Sequence, residues 1–371
     1  MDPIYNRRIE NAQKELKSRG WGGLALFLGP NCLYFTGLDK NPSERLLTTV
    51  IPAEGTPFMV SPAFEVELVK KKTKAQIDDI LPWEEHESPY TTFEKGLSSR
   101  GISNSTLAFD GQFEYRFVYQ INKAASNIKL ELGEDLISKL RLAKSSEELE
   151  YMRKACTGIT KGMKASHESI AAGRTELECS LPLHEEIKKN GGSSRGSGGL
   201  TSGTVSSLPH GTSSDKKIEN GDMILIDTGA TVNGYYGDLT RMAVLGEPSD
   251  KMKKVYKIVL DAQAAAIAKS APGTPCQDLD DAARSFITNA GYGEYFTHRV
   301  GHGLGLEVHE EPFLVKGNTK TLTPGNVHSV EPGIYLPGEF GIRIEDQVAV
   351  TESGHDVLSA NLFSTDELTV L

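Results

Sequence analysis

The sequence predicts two domains, an α/β unit followed by an α+β unit built on a repeated, acid-bearing β-hairpin. Three observations predict it. The 371 residues correspond to about two domains at roughly 100–200 residues each. Strand-like and helix-like patterns alternate over about the first 130 residues. From Gly221 onward, GDMILIDTGATVNGYYGDLTRMAVLG and GNVHSVEPGIYLPGEFGIRIEDQVAVTESG follow one plan.

The first residues read as a helix. Asp2 can cap it, Pro3 suits its first turn, Ile9, Ala12 and Leu16 recur at helical spacing, and Gly20 ends it. Strands are expected at GGLALFLG, CLYFTG, LLTTVI, PFMVS and 106–109, and helices at 64–72 and 115–123. A boundary is expected within 133–145, giving domains 1–135 and 145–371. Ser145 with Glu148, and Thr175 with Glu178, have capping-box spacing and open two helices, the first running towards Ala172. Pro182 should kink or restart the second. KKNGGSSRGSGGLTSG is the most Gly/Ser-rich segment and reads as a flexible loop. A strand, the first hairpin, helices near 249–270 and 277–290, and strands to the end follow.

Each of the two similar stretches starts at a glycine, Gly221 or Gly325, and six residues later an acid ends an apolar run, Asp227 or Glu331. A Gly-rich turn and a second strand follow, with Asp238 or Glu345 near its start and Gly246 or Gly354 at its end. A carboxylate isolated among apolar strands costs several kcal/mol unless it is neutralised or paired. Four brought together repel one another, and divalent cations relieve this best. For any one acid the alternative is pairing with Arg241 or Arg343, or exposure to solvent.

Between the hairpins, THRVGHGLGLEVHEEP holds His298, His302 and His309. Six of the nine histidines lie from His210 onward, so imidazole chemistry is expected in this half. A lone histidine is more often structural than a ligand; three near a carboxylate cluster shift that balance towards a ligand role. GHGLG lacks the Lys and Ser/Thr of a phosphate loop and does not join an N-terminal strand to a helix, so nucleotide binding is discounted.

Composition bounds the partners. Fifty acidic residues against 40 basic, net charge -10, argue against nucleic acid. No apolar stretch approaches about 18 residues, and the charged N-terminus has no h-region, so no membrane partner or signal peptide is expected. Cys32, Cys156, Cys179 and Cys276 form no C-x-x-C pair. Free thiols in a reducing cytoplasm are expected.

In order, IDTGA, GYYGDLTR, HRVGHGLGLEVHE, VEPGIY and GIRIEDQ resemble the pita-bread metallopeptidases: prolidase (Xaa-Pro dipeptidase), aminopeptidase P, methionine aminopeptidase and creatinase. YFTGL adds a weaker likeness in the first domain. The resemblance implies an α/β creatinase-like N-terminal domain and an α+β pita-bread catalytic domain of duplicated hairpin/helix units related by a pseudo-twofold. It implies two divalent ions held by Asp227, Asp238, His302, Glu331 and Glu345, with Asp238 and Glu345 bridging. Oxygen-rich donors with one imidazole favour Mn²⁺ or Co²⁺ over Zn²⁺. The resemblance assigns proton transfer to Glu331, stabilisation of the tetrahedral intermediate to His309, and substrate contacts to His210 and His298. Arg343 can orient acids or a substrate carboxylate through its planar fork.

The expected activity is cytoplasmic cleavage of Xaa-Pro dipeptides, whose imino nitrogen and restricted backbone call for a dedicated enzyme. The alternative is an aminopeptidase P acting on longer Xaa-Pro peptides. The N-terminal domain disfavours a minimal methionine aminopeptidase. The full ligand set disfavours metal-free creatinase and a non-catalytic binding protein. A homodimer is implied by resemblance. Two departures stand out: SSRGSGGLTSG occupies the place of an apolar strand, with only Leu200 strongly apolar, and Pro182 sits inside a helix.

Overall fold

The computed structural model describes residues 3–194, 198–360 and 362–371. The chain divides into two compact units, Met1–Arg141 and Leu142–Leu371. Among the described residues no helix is long and apolar enough to cross a membrane.

The first unit runs α1 (Pro3–Arg19), β1 (Gly23–Phe27), α2 (Pro30–Thr36), β2 (Thr48–Pro52), β3 (Phe58–Pro62), α3 (Val66–Lys72), β4 (Asp79–Trp83), α4 (Pro89–Ser98), β5 (Thr106–Phe109), α5 (Tyr115–Ala124), β6 (Lys129–Leu132) and α6 (Glu134–Arg141). Its six strands form one sheet in the order β4-β3-β2-β1-β5-β6. In α1 the buried face is Arg8, Ile9, Ala12 and Leu16; the expected cap, Asp2, lies outside the described residues.

CLYFTG is a helix, not a strand. Pro30 stands in the first turn of α2, where its missing N–H costs nothing, and Gly37 closes the helix at φ 72, donating to Leu33 O. A short apolar run does not by its period distinguish strand from helix; the flanking Pro30 and Gly37 carried the signal. The elements β4, α4, β6 and α6 were not expected. In β6 all four residues are exposed, so no apolar run marks it.

The second unit contains α7 (Ser146–Ser169), α8 (Glu176–Lys189), β7 (Gly198–Ser202), β8 (Met223–Val232), β9 (Tyr235–Val244), α9 (Asp250–Ile267), α10 (Cys276–Asn289), β10 (Gly301–Gly303), β11 (Glu310–Leu314), β12 (Val327–Val330), β13 (Gly333–Leu336), β14 (Phe340–Arg343), β15 (Asp346–Val350), β16 (His355–Val357) and β17 (Thr369–Val370). Ser145 and Thr175 each form a full capping box, with Glu148 and Glu178. The sheets run β17-β9-β8-β7, β11-β10-β12-β15-β16 and β13-β14.

The duplication is visible in matched hydrogen bonds. Gly173 N donates to Ile218 O at 2.9 Å, and Gly273 N to Leu322 O at 2.8 Å. Gly221 N donates to Leu245 O at 2.7 Å, and Gly325 N to Val350 O at 2.9 Å. Each half is thus two helices followed by an acid-bearing hairpin. The halves meet where Glu345 N donates to Thr240 O at 3.2 Å, an isolated bridge between the hairpins.

Two expectations are corrected here. The helix α8 continues through Pro182 without a restart. Proline cannot donate to the carbonyl of Glu178; Arg174 Nη2 lies 3.5 Å from that oxygen and donates instead. The Gly/Ser-rich segment, of which 195–197 lie outside the described residues, contains strand β7, paired antiparallel with β8. Its glycines have a steric reason: a Cβ on Gly198 would meet Asp227 O at 1.9 Å, and Gly198 has φ +80. Leu200 is fully buried, and Ser202 donates from both N and Oγ to buried Glu176. One apolar side chain and close backbone approach suffice to seat the strand.

Candidate metal centre

All nine residues singled out in the sequence line one cleft of about 470 Å³ in the second unit: Asp227, Asp238, His302, Glu331, Glu345, His210, His298, His309 and Arg343. Gly198, Pro209, Gly229, Arg299 and Val308 complete its lining.

Pairing in the first hairpin sets Asp227 opposite Thr240 and Asp238 opposite Gly229. Residues two apart on a strand share a face, so both acids point to the cleft. The second hairpin supplies its acids at a break. Val330 pairs with Asp346 and Gly333 with Arg343, and between these pairs stand Glu331, Pro332, Ile344 and Glu345. Pro332 has no N–H, so the ladder opens. Glu331 N turns to Val300 O at 2.7 Å and Glu345 N to Thr240 O. Gln263, from α9, fills the opening: its Nε2 donates to Val330 O and Ile344 O, each at 3.1 Å.

His302 stands on β10 between two glycines that admit close packing of backbones. A Cβ on Gly301 would meet Ser329 O at 2.1 Å, and one on Gly303 would meet Glu311 O at 2.2 Å. Its Nε2 lies 3.1 Å from Glu331 Oε1, and the His309 ring stands edge-on, centroids 4.3 Å apart. Asp238, His302 and Glu345 each offer a ligand atom within 4.8 Å of the other two.

Arg343 is buried and heavily engaged. Its Nη2 donates to Asp227 Oδ2 at 2.6 Å, Nη1 to Tyr335 OH at 2.7 Å and Pro209 O at 3.1 Å, and Nε to Thr240 Oγ1 at 3.2 Å. Thr240 Oγ1 in turn donates to Glu345 Oε2 at 2.8 Å. His298 pairs with Tyr335 OH through Nε2 at 2.8 Å and with Arg299 O through Nδ1 at 2.7 Å. His210 lies exposed at the rim.

The chain does not satisfy this charge by itself. Burial, reinforced by Asp227, raises the Asp238 carboxyl to about 7. Burial and Asp238 drive Glu345 well above the carboxylate range. Glu331 is instead lowered to about 2: burial opposes ionisation, but the His302 hydrogen bond and charge prevail. His302 is raised, its burial outweighed by Glu331. His309 is lowered to about 4 by partial burial and by His302, so its ring is neutral near pH 7, although the residue as a whole is exposed. Glu345 Oε1 is buried without a hydrogen-bond partner. Four acids, one imidazole and an orphaned carboxylate oxygen fit divalent cations.

Reading the sequence did not find Thr240, Tyr335 or Gln263. Thr240 lies two residues beyond Asp238, which places it on the same strand face, and Tyr335 stands within VEPGIY. Gln263 carries no sequence signal, because its role exists only once the second hairpin opens.

Residues 150–352 match Metallopeptidase family M24 and residues 8–143 the Creatinase/Prolidase N-terminal domain. An Xaa-Pro dipeptidase of Pyrococcus horikoshii is 34% identical over 352 residues, 95% of this chain and 96% of that protein. A crystal structure of prolidase from Thermococcus sibiricus superposes with TM-score 0.91 at 33% identity, covering 100% of both chains. An X-Pro aminopeptidase from Thermotoga maritima superposes with TM-score 0.86 at 31% identity, covering 98% of this chain and 99% of that one. The cleft, the duplicated hairpins and these likenesses agree: the chain belongs to metallopeptidase family M24, with a creatinase/prolidase N-terminal domain ahead of its catalytic one.

Proposed function

We propose that this metallopeptidase hydrolyses Xaa-Pro bonds, preferentially in dipeptides, with two divalent ions held by Asp227, Asp238, His302, Glu331 and Glu345. The observation that carries the reading is the convergence of Asp238, His302 and Glu345 around an unpartnered Glu345 Oε1. The donor set favours Mn²⁺ or Co²⁺ over Zn²⁺. When bound, such ions supply an acidified water and polarise the scissile carbonyl.

The chain's own groups do the rest. Glu331, ionised because His302 and Arg343 hold it so, accepts the proton of the attacking water and can return it to the leaving imino nitrogen. His309, neutral beside His302, donates to the oxygen on which charge develops. Arg343 fixes Asp227 and braces Thr240, which holds Glu345. His298, anchored by Tyr335, and His210 at the rim line the walls that receive substrate. All four cysteines are buried and unpaired, which fits a reducing compartment.

The preference for dipeptides rests on likeness to dipeptidases. The likeness to an X-Pro aminopeptidase favours the second reading, release of the N-terminal residue from longer peptides. Assaying the metal-loaded enzyme on an Xaa-Pro dipeptide and on the tripeptide extended by one residue tests this. Higher kcat/KM on the dipeptide is expected. Higher kcat/KM on the tripeptide makes the chain an aminopeptidase, and cleavage of neither removes the Xaa-Pro assignment.

A further inference from the structure

His309 ends a loop, residues 304–309, between β10 and β11. Such a loop has no ladder of its own to hold its last residue. Three ties hold it. Tyr236 N donates to Gly305 O at 2.7 Å, and Gly305 N to Glu307 O at 3.0 Å. Glu307 N donates to Glu310 Oε2 at 3.3 Å. This last bond ends on a carboxylate whose other oxygen, Oε1, accepts from Lys144 Nζ at 2.7 Å. The two side chains are 2% and 10% exposed. Lys144 is itself fixed, its N donating to Gly325 O at 2.8 Å at the start of the second hairpin. A Cβ on Gly305 would lie 2.7 Å from Glu310 Oε1 and 2.9 Å from Lys144 Cε, so the loop folds directly onto the pair.

A buried ion pair is poor evidence of stabilisation, since replacing both partners by apolar side chains is often neutral. Neither Lys144 nor Glu310 lines the cleft. The geometry of Glu310 explains the pair differently, because one oxygen holds the loop backbone and the other the frame of the second hairpin. We propose that Lys144 and Glu310 are positioning residues that hold the loop 304–309 and thereby set His309 against His302. The proposal rests on the peptidase reading above, in which His309 faces the developing charge.

The test compares metal-loaded wild-type enzyme with K144M and K144M/E310M. The readouts are kcat, KM, Tm, metal content and amide hydrogen exchange across 304–309. K144M removes the ammonium that Glu310 Oε1 accepts from, so both Tm and kcat fall. The double variant removes both charges of the pair and recovers Tm. Its loop still lacks its tie, so kcat stays about 10- to 100-fold below wild type, the cost of misplacing a catalytic group by about 1 Å. KM and metal content stay near wild type, and exchange across 304–309 is faster. A double variant with wild-type kcat, or with unchanged exchange in the loop, overturns the proposal. E310Q keeps the side-chain volume but one acceptor oxygen, and provides the same exchange test should the double variant not fold. If wild-type enzyme cleaves no Xaa-Pro peptide, the proposed function fails, and the exchange measurement still decides whether the pair holds the loop.

Discussion

The two hairpins of the catalytic unit reach one cleft by different means. The first keeps an unbroken ladder from Met223 opposite Val244 to Val232 opposite Tyr235, and its acids face the cleft by strand alternation alone. The second opens at Pro332, turns Glu331 to His302 and Glu345 to the first hairpin, and depends on Gln263 to satisfy the freed carbonyls. Continuing its register across the break sets Glu331 opposite Glu345, whereas Asp227 and Asp238 are offset by two positions. Directly opposed acids at the spacing of one strand pair would repel strongly. Parting the strands lets each find a different partner. A regular hairpin can present two acids to one cleft, and in this chain the second hairpin brings two more to the same cleft across a break in its ladder.

The largest effects are expected at the residues where the hairpins meet. Asp238→Asn and Glu345→Gln each remove a proposed bridging ligand, so both metal and rate should fall. Losing about 4 kcal/mol of transition-state stabilisation corresponds to roughly 10³-fold in kcat. Elemental analysis and kcat on the same preparations check this, and full metal occupancy in either variant would show the bridging pair to be wrong. His309→Ala should spare the metal and cost about 10²–10³-fold in kcat, as for the loss of one donor aimed at developing charge. If Tm falls and kcat per folded molecule does not, His309 is structural.

The dependence of the second hairpin on Gln263 is sharpened by Gln263→Leu. Two buried carbonyls lose their donor, and stability should fall by about 1–3 kcal/mol in urea unfolding. The ladder of the first hairpin is continuous and does not touch Gln263, so faster hydrogen exchange should be confined to 327–350.

A smaller effect separates metal-free from metal-loaded protein by pH. Asp238 is raised by burial and by Asp227 from 3.8 to about 7 in the folded chain. The folded state therefore holds a proton that the unfolded state has released, and stability is lost as pH rises through about 7. His302, raised above 6.5 by Glu331 against the opposing effect of its burial, acts in the same sense. Glu331, lowered from 4.5 to about 2, acts in the opposite sense only between those two values. The Tm of metal-free protein should fall from about pH 5 to 7 relative to the loaded form, whose ions keep the carboxylates ionised. Parallel Tm profiles would contradict it.

Much of this was legible in the sequence because the signals were local. Ser145 and Thr175 cap their helices three residues ahead of a glutamate, and each hairpin places an acid six residues after a glycine. What escaped reading depends on tertiary contacts. The segment CLYFTG reads as a strand until Pro30 and Gly37 are weighed as helix ends. The glycines of β7 look like a loop until Asp227 O is found where a Cβ would go. Thr240, Gln263 and Lys144 matter through partners 60 or more residues away in the chain, at Glu345, Val330 and Glu310.

In the proposed function both hairpins together hold two ions on which hydrolysis depends. This is tested most directly by stripping the enzyme with chelator, titrating Mn²⁺ back, and following bound metal and Xaa-Pro hydrolysis together. The account predicts no hydrolysis in the stripped protein, and activity that returns as binding saturates at two ions per chain. Full activity in rigorously metal-free protein would contradict it.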